Sequence, residues 1–176
     1  KSPGSFTQTV KGIQNLRKLD QQIITNTVVV KSNYRNLPEI AKLLVKLSVN
    51  QYQFAFVHPV GNAYKYYDSI VPLVSLAAPF IHKGLQIGID AGIKVMAEAM
   101  PYCMMQGYED YVSEKVIPET EIKDADNYIE DYKQSRVKEG KAKFPQCKEC
   151  KHDDVCEGPW REYPEKKGNE EFKAVR

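Results

Sequence analysis

The chain has 176 residues, 27% of them charged and 42% apolar, with 25 basic and 23 acidic side chains and a formal net charge of +2. That composition supports one core of ordinary size rather than a disordered tail, and so small an imbalance gives no footing for a phosphate backbone or an anionic membrane as partner. No apolar run is expected to reach the roughly 18 residues of a membrane span, because Pro72, Ser75 and Pro79 interrupt the stretch from Ile70 to Ile81. The opening KSPGSF lacks the basic and apolar blocks of a signal peptide, and a soluble, cytoplasmic protein is expected.

Phe6, Val10, Ile13, Leu16 and Leu19 recur at spacings of three and four, which predicts a helix over about 4–19 with one apolar face. Residues 23–30 (IITNTVVV) are β-branched almost throughout, as in a strand covered on both faces. Asn36 and Glu39 read as a capping-box pair opening a helix, with Pro38 in its first turn and Ile40, Leu43, Leu44 and Leu47 along one side. Residues 52–58 (YQFAFVH) form the next strand, stopped by Pro59 and Gly61. A helical stretch over about 69–91 follows, with a break or kink expected at Pro79, and 93–100 (IKVMAEAM) make a third strand ended by Pro101. Short crossovers of the right-handed kind would set the strands parallel. The fold class is α/β, either a small three-stranded domain or the C-terminal half of a (β/α) barrel, a complete barrel needing roughly 250 residues. The second is favoured, because the first helix has no preceding strand to pack against.

Charge divides the chain. Sixteen of its charged residues precede Glu109 and 32 follow from there. A boundary is therefore placed at Cys103, with an α/β segment over 1–102 and a charged, irregular, cysteine-bearing extension over 103–176.

Three of the four cysteines crowd into Cys147-Lys-Glu-Cys150-Lys-His-Asp-Asp-Val-Cys156, and Cys103 follows the third strand. A CxxC turn lets two thiolates converge, a third six residues on can join them, and thiolates brought together need a metal or a cluster. Cys103 stands where the carboxyl ends of parallel strands build sites. Three clustered cysteines plus a remote fourth suit iron–sulfur slightly better than zinc, which remains open, as do free structural thiols. His152, inside the loop, is a substitute ligand or a solvated residue.

The segments GSFTQTVKGIQNLRKL, NTVVVKSNYRNLPEI and FAFVHPVGNA, and above all the tail CKECKHDDVCEGPWREYPEKKGNEEFKAV, resemble the C-terminal part of a radical S-adenosylmethionine enzyme with an auxiliary-cluster extension of the SPASM or twitch kind. The resemblance spans nearly the whole chain. It implies that the strands are the fourth to sixth of a partial TIM barrel and that Cys103, Cys147, Cys150 and Cys156 hold an auxiliary 4Fe-4S cluster. It also implies that Asn26, Ser32 and Asn33 lie near S-adenosylmethionine, although Asn33 and Asn36 equally spell a strand-to-helix turn. The family's CxxxCxxC loop has no counterpart here, so the chain alone is not expected to cleave S-adenosylmethionine. The implied partners are an upstream barrel segment carrying that loop, a peptide or small-molecule substrate, and a reductant such as ferredoxin or flavodoxin. The auxiliary cluster would take up, relay or bind at the substrate.

His58, at a strand end, reads as a packing or turn residue before a catalytic base. Glu98, in an apolar strand, must meet a polar interior or a partner. Tyr64, Tyr66 and Tyr67 are expected to cover a surface, and Trp160 and Tyr163 to shield the cluster from water. The competing functions are a zinc-stabilised α/β interaction module and an electron-carrier subunit.

Overall fold

The computed structural model describes residues 2–126 and 128–176. Helix α1 spans Ser5–Lys18 with the expected apolar stripe, yet none of its residues is buried and Phe6 is 67% exposed. Strand β1 (Ile24–Val29), α2 (Leu37–Lys46) and β2 (Gln51–Phe56) follow. Two single-turn helices, α3 (Asn62–Lys65) and α4 (Tyr67–Ile70), precede α5 (Val74–Asp90) and β3 (Lys94–Glu98).

Two local expectations are corrected. Asn36 sits at the N-cap of α2 but its side chain makes no capping bond, and Glu39 instead meets Lys42 at 2.7 Å. The turn before α2 is held by Asn33, whose Oδ1 accepts from the Val30 N–H and whose Nδ2 donates to the Val28 carbonyl, both at 2.8 Å. The helical stretch breaks at Val71–Leu73, not at Pro79. Pro72 drives Val71 into extended backbone, whereas Pro79 lies on the exposed side of α5, where water can meet the carbonyl its missing N–H leaves free.

Tyr67–Asp90 is, against expectation, long and apolar enough to cross a membrane by composition, its most apolar 18 residues having a mean hydropathy of 1.4. Packing accounts for that composition: Val74, Ala77, Ala78, Ile81, Gly84, Leu85 and Gly88 form a buried stripe on α5, which packs against α2 and β3. Gly84 and Gly88 let it approach closely, since a Cβ at Gly88 would collide with Val95 and Tyr52 and one at Gly84 with Phe54.

The sheet has the order β1-β2-β3, all parallel, with Ile24 opposite Gln51 and Gln51 opposite Lys94. The period-two alternation of a strand then assigns faces. Tyr52, Phe54, Val95 and Ala97 face the helices. The opposite face carries Ile24, Asn26 and Val28 from β1, Gln51 and Gln53 from β2, and Lys94, Met96 and Glu98 from β3. Ile24 and Val28 on that second face are 62% and 49% exposed. The outer edge of β1 has no strand partner among the described residues.

Beyond β3 the chain runs through short 3₁₀ turns between Tyr102 and Val116 and a two-residue ribbon, β4 (Ile122–Lys123) with β5 (Tyr128–Ile129). It continues through α6 (Tyr132–Ser135), the cysteine loop and α7 (Glu162–Lys167). Regular structure thins after residue 102, but the core does not stop there: Val112, Trp160, Tyr163 and Phe172 join one apolar cluster with Phe54, Phe56 and Val71.

Candidate metal centre

The cysteine loop is built from successive tight turns. Cys150 N–H bonds the Cys147 carbonyl at 2.9 Å, Asp153 N–H the Cys150 carbonyl at 3.0 Å and Cys156 N–H the His152 carbonyl at 2.9 Å. Gly158 then turns with φ +83°, and a Cβ there would strike the backbone of Ala142, so only glycine fits the crossing. Ala142 N–H bonds the Pro159 carbonyl at 3.0 Å, which fixes that crossing to the strand-like pairing of Lys141 with Trp160.

These turns bring Cys147, Cys150 and Cys156 to the wall of a small cavity, and Cys103 lines the same cavity from the 3₁₀ turn just past β3. All four thiols are free and half-buried. Backbone groups converge on each sulfur. Phe144 N–H points at Cys147 Sγ and Val175 N–H at Cys150 Sγ, both at 3.4 Å. The backbone of Lys173 bonds Cys103, and that of Tyr102 and Gly158 bonds Cys156. Burial, with the charge of Cys156 second, pushes the Cys103 thiol up to about 12, and burial likewise raises Cys156. Thiols so placed hold protons unless a cation takes their place.

Among the described residues, no three His, Cys, Asp or Glu side chains converge tightly enough to hold a single metal ion. Zinc would draw its sulfurs to about 2.3 Å from one point, whereas a polynuclear cluster is itself a body that thiolates surround. Four sulfurs line one cavity with backbone groups directed at them, and Cys103, Cys147, Cys150 and Cys156 are the residues that would hold a metal or cluster there. When bound, an iron–sulfur cluster supplies one-electron transfer, tuned by N–H···S bonds and by exclusion of water.

The C-terminal residues close the cavity, which the sequence reading missed. Lys173 and Ala174 line it together with Phe144 and Phe172. Lys151 N–H bonds the Val175 carbonyl at 2.8 Å, and Gln146 Nε2 reaches the Phe172 carbonyl at 3.2 Å. The aromatics at the cavity are therefore Phe144 and Phe172, stacked at 5.6 Å, and not Trp160 or Tyr163. Tyr163 is buried against Phe56 and Phe172, and its hydroxyl donates to Glu171. Trp160 stacks on His58 at 3.8 Å, with Lys141 Nζ 4.2 Å from its ring centroid, and its Nε1–H donates to the Phe56 carbonyl.

A second cluster lies between β3 and the metal loop. Arg136, 4% exposed, donates Nη1 to Glu98 at 2.7 Å and Nη2 to Glu114 and Glu157 at 3.2 and 3.1 Å. Lys141 lies 3.5 Å from Glu114 and 3.7 Å from Glu157. Glu98, whose Oε2 also accepts from Gln53 Nε2 at 2.6 Å, thus finds its partner in the extension. Glu114 also receives the Ala99 N–H at 2.7 Å, and Ala99 itself sits at φ +57°, a strained position for a residue with a Cβ. Burial pushes the Glu114 carboxyl up and the Lys141 ammonium down, each toward its neutral form. Buried charges so paired fasten the extension to the sheet's carboxyl end, at a desolvation cost that only the full set offsets.

The other sequence candidates do not join the cysteines at this cavity. Asn26 is exposed on the uncovered sheet face, Ser32 is exposed in the turn beyond β1, and both amide groups of Asn33 are spent on that turn. His58 Nε2 stands 3.3 Å from Glu162 Oε2. His152 is neither solvated nor at the cavity: its ring leans on Tyr102 at 4.9 Å, with Glu109 3.9 Å away. Tyr64 and Tyr66 are surface residues as expected, but Tyr67 is buried. Comparison of the chain with protein-family models, with curated proteins and with solved structures finds no match.

Proposed function

We propose that this chain is the C-terminal portion of a radical S-adenosylmethionine enzyme, the later half of a partial TIM barrel followed by an extension that holds an auxiliary 4Fe-4S cluster. The observation that carries the reading is the meeting of four thiols, separated by up to 53 positions in sequence, around one cavity at the carboxyl end of a parallel sheet. The sheet supports it. Both α2 and α5 lie on one face, as helices do outside a barrel, while the other face shows Asn26, Gln51, Gln53 and Glu98, and β1 keeps a free outer edge. An upstream barrel segment carrying the CxxxCxxC loop is the proposed occupant of that edge.

In this reading the chain's own residues complete the barrel, present polar groups on its inner face and exclude water from the auxiliary cluster with Phe144, Phe172 and the C-terminal segment of residues 173–175. S-adenosylmethionine is proposed to lie toward Asn26 and the turn at Ser32 and Asn33. The reductant is proposed to be a ferredoxin or flavodoxin, and the substrate a peptide or small cofactor undergoing radical-based modification.

The test joins the chain to a CxxxCxxC-bearing barrel segment encoded upstream of it or beside it. The joined protein, reduced anaerobically, should release 5′-deoxyadenosine from S-adenosylmethionine, and this chain alone should not. If no such segment exists, or joining it yields no cleavage, the enzyme reading fails. The zinc-stabilised module then stands on the same cysteines.

A further inference from the structure

Helix α5 begins without a cap of its own. Leu73 precedes it and has no side-chain acceptor, so the N–H groups of Val74 and Ser75 need partners from elsewhere. Both partners come from the far end of the chain. The Tyr163 hydroxyl accepts the Val74 N–H at 3.1 Å and donates to Glu171 Oε1, while Glu171 Oε2 accepts the Ser75 N–H at 2.7 Å. A carboxylate at that place also meets the positive end of the helix dipole. The residues after Glu171 run straight to the cysteine cavity. Phe172 stacks on Phe144 at its wall, the backbone of Lys173 bonds Cys103, and the Val175 N–H points at Cys150 Sγ while the Val175 carbonyl accepts the Lys151 N–H. Five consecutive residues thus hold the start of α5 at one end and two of the four sulfurs at the other. A metal or cluster held by those sulfurs would fix the acceptors at the far end, which otherwise lie on turns with little regular structure to hold them.

We propose that residues 171–175 are a strap that carries the state of the cysteine centre to the first turn of α5. With the centre filled the strap is docked and α5 is capped; with the centre emptied the strap is released and the first turn frays. The strap is the two-state element that both ends bias, which is what coupling between them requires. This deepens the proposed function by naming a conformational consequence of the auxiliary site, and it rests on that reading for what fills the cavity. Hydrogen exchange resolved to single residues by mass spectrometry tests it, on the full chain loaded anaerobically with iron and sulfide, on the chain loaded with zinc, and on the chain stripped with a chelator. Stripping should speed exchange of the Val74 and Ser75 amides about tenfold, the size of a lost helix cap, and leave Leu85–Asp90 at the other end of α5 unchanged. Glu171→Ala should give Ser75 the stripped rate in every state, with iron and sulfide content as in the parent chain. Tyr163→Phe, which keeps the ring packed against Phe56 and Phe172, should do the same at Val74 and serves as the second variant. Equal exchange of both amides in loaded and stripped chains, or a dependence on loading that survives these substitutions, overturns the proposal. A chain that takes up zinc but no iron or sulfide sinks the cluster reading, and the same exchange difference between zinc-loaded and stripped chains then upholds the strap; a chain that takes up neither overturns both.

Discussion

The two halves of this chain are held together by different physics. Residues 24–98 are ordered by parallel strand ladders and by two helices on one sheet face, of which α5 sits tightly through Gly84 and Gly88. Residues 103–176 have few ladders and short helices, and what organises them is a set of turns around four sulfurs and a buried group of five charges. The contrast teaches that one apolar core can be continued by segments with almost no regular secondary structure, provided that polar centres fix their path.

Breaking the metal centre should separate the halves most sharply. Cys103→Ser or a strong chelator should strip the proposed cluster and remove hydrogen-exchange protection over residues 141–176, while the ladder amides of 24–29 and 51–56 stay protected. Uniform loss of protection would instead make the centre a support of the whole core. Arg136→Met comes next. It leaves Glu98, Glu114 and Glu157 facing one another around Lys141, and should lower unfolding free energy in urea by about 3–5 kcal/mol. Gly88→Ala, on the sheet side, forces a methyl into Val95 and Tyr52 and should cost about 1–3 kcal/mol with metal content unchanged. Removing Lys173–Arg176 deletes the N–H bonds to Cys103 and Cys150, so the centre's reduction potential should fall and its decay in air quicken, as voltammetry and loss of visible absorbance would show.

The smallest effect concerns pH. Burial holds His58 and His82 below the ordinary 6.5, and His82 is further engaged with the Met104 carbonyl at 2.9 Å. Each therefore takes up its proton at lower pH in the folded chain than in the unfolded one, so the unfolded chain binds more protons below 6.5; their contribution is complete above that value and erodes as the pH falls beneath it. His82→Gln should flatten the fall in thermal midpoint between about pH 7 and 5.

The sheet half was legible because its signals are local. The β-branched run before Val30, the periodic Leu43, Leu44 and Leu47, and the Pro–Gly stops give the elements, and short connections give a parallel order. That the four cysteines would line one cavity was suggested by their spacing and by the position of Cys103 after a strand. What closes the cavity was not, since Lys173 and Val175 act through backbone N–H groups that any residue carries. Nor was the pairing of Glu98 and Glu114 with Arg136 and Lys141, because in a segment this rich in charge nothing local separates a buried ion from a solvated one. Trp160 and Tyr163, adjacent to the motif in sequence, were expected at the centre. The turn at Gly158 instead directs them to the sheet, and Phe144 and Phe172 take the place beside the sulfurs.

The central claim is that four thiolates share one inorganic core, and the most direct measurement is Mössbauer spectroscopy of this chain reconstituted anaerobically with ⁵⁷Fe and sulfide. The account predicts the signature of a four-iron four-sulfur cluster, at one cluster per chain, lost on replacing Cys103 as fully as on replacing Cys150. Stoichiometric zinc that iron cannot displace, or a cluster indifferent to Cys103, would contradict it.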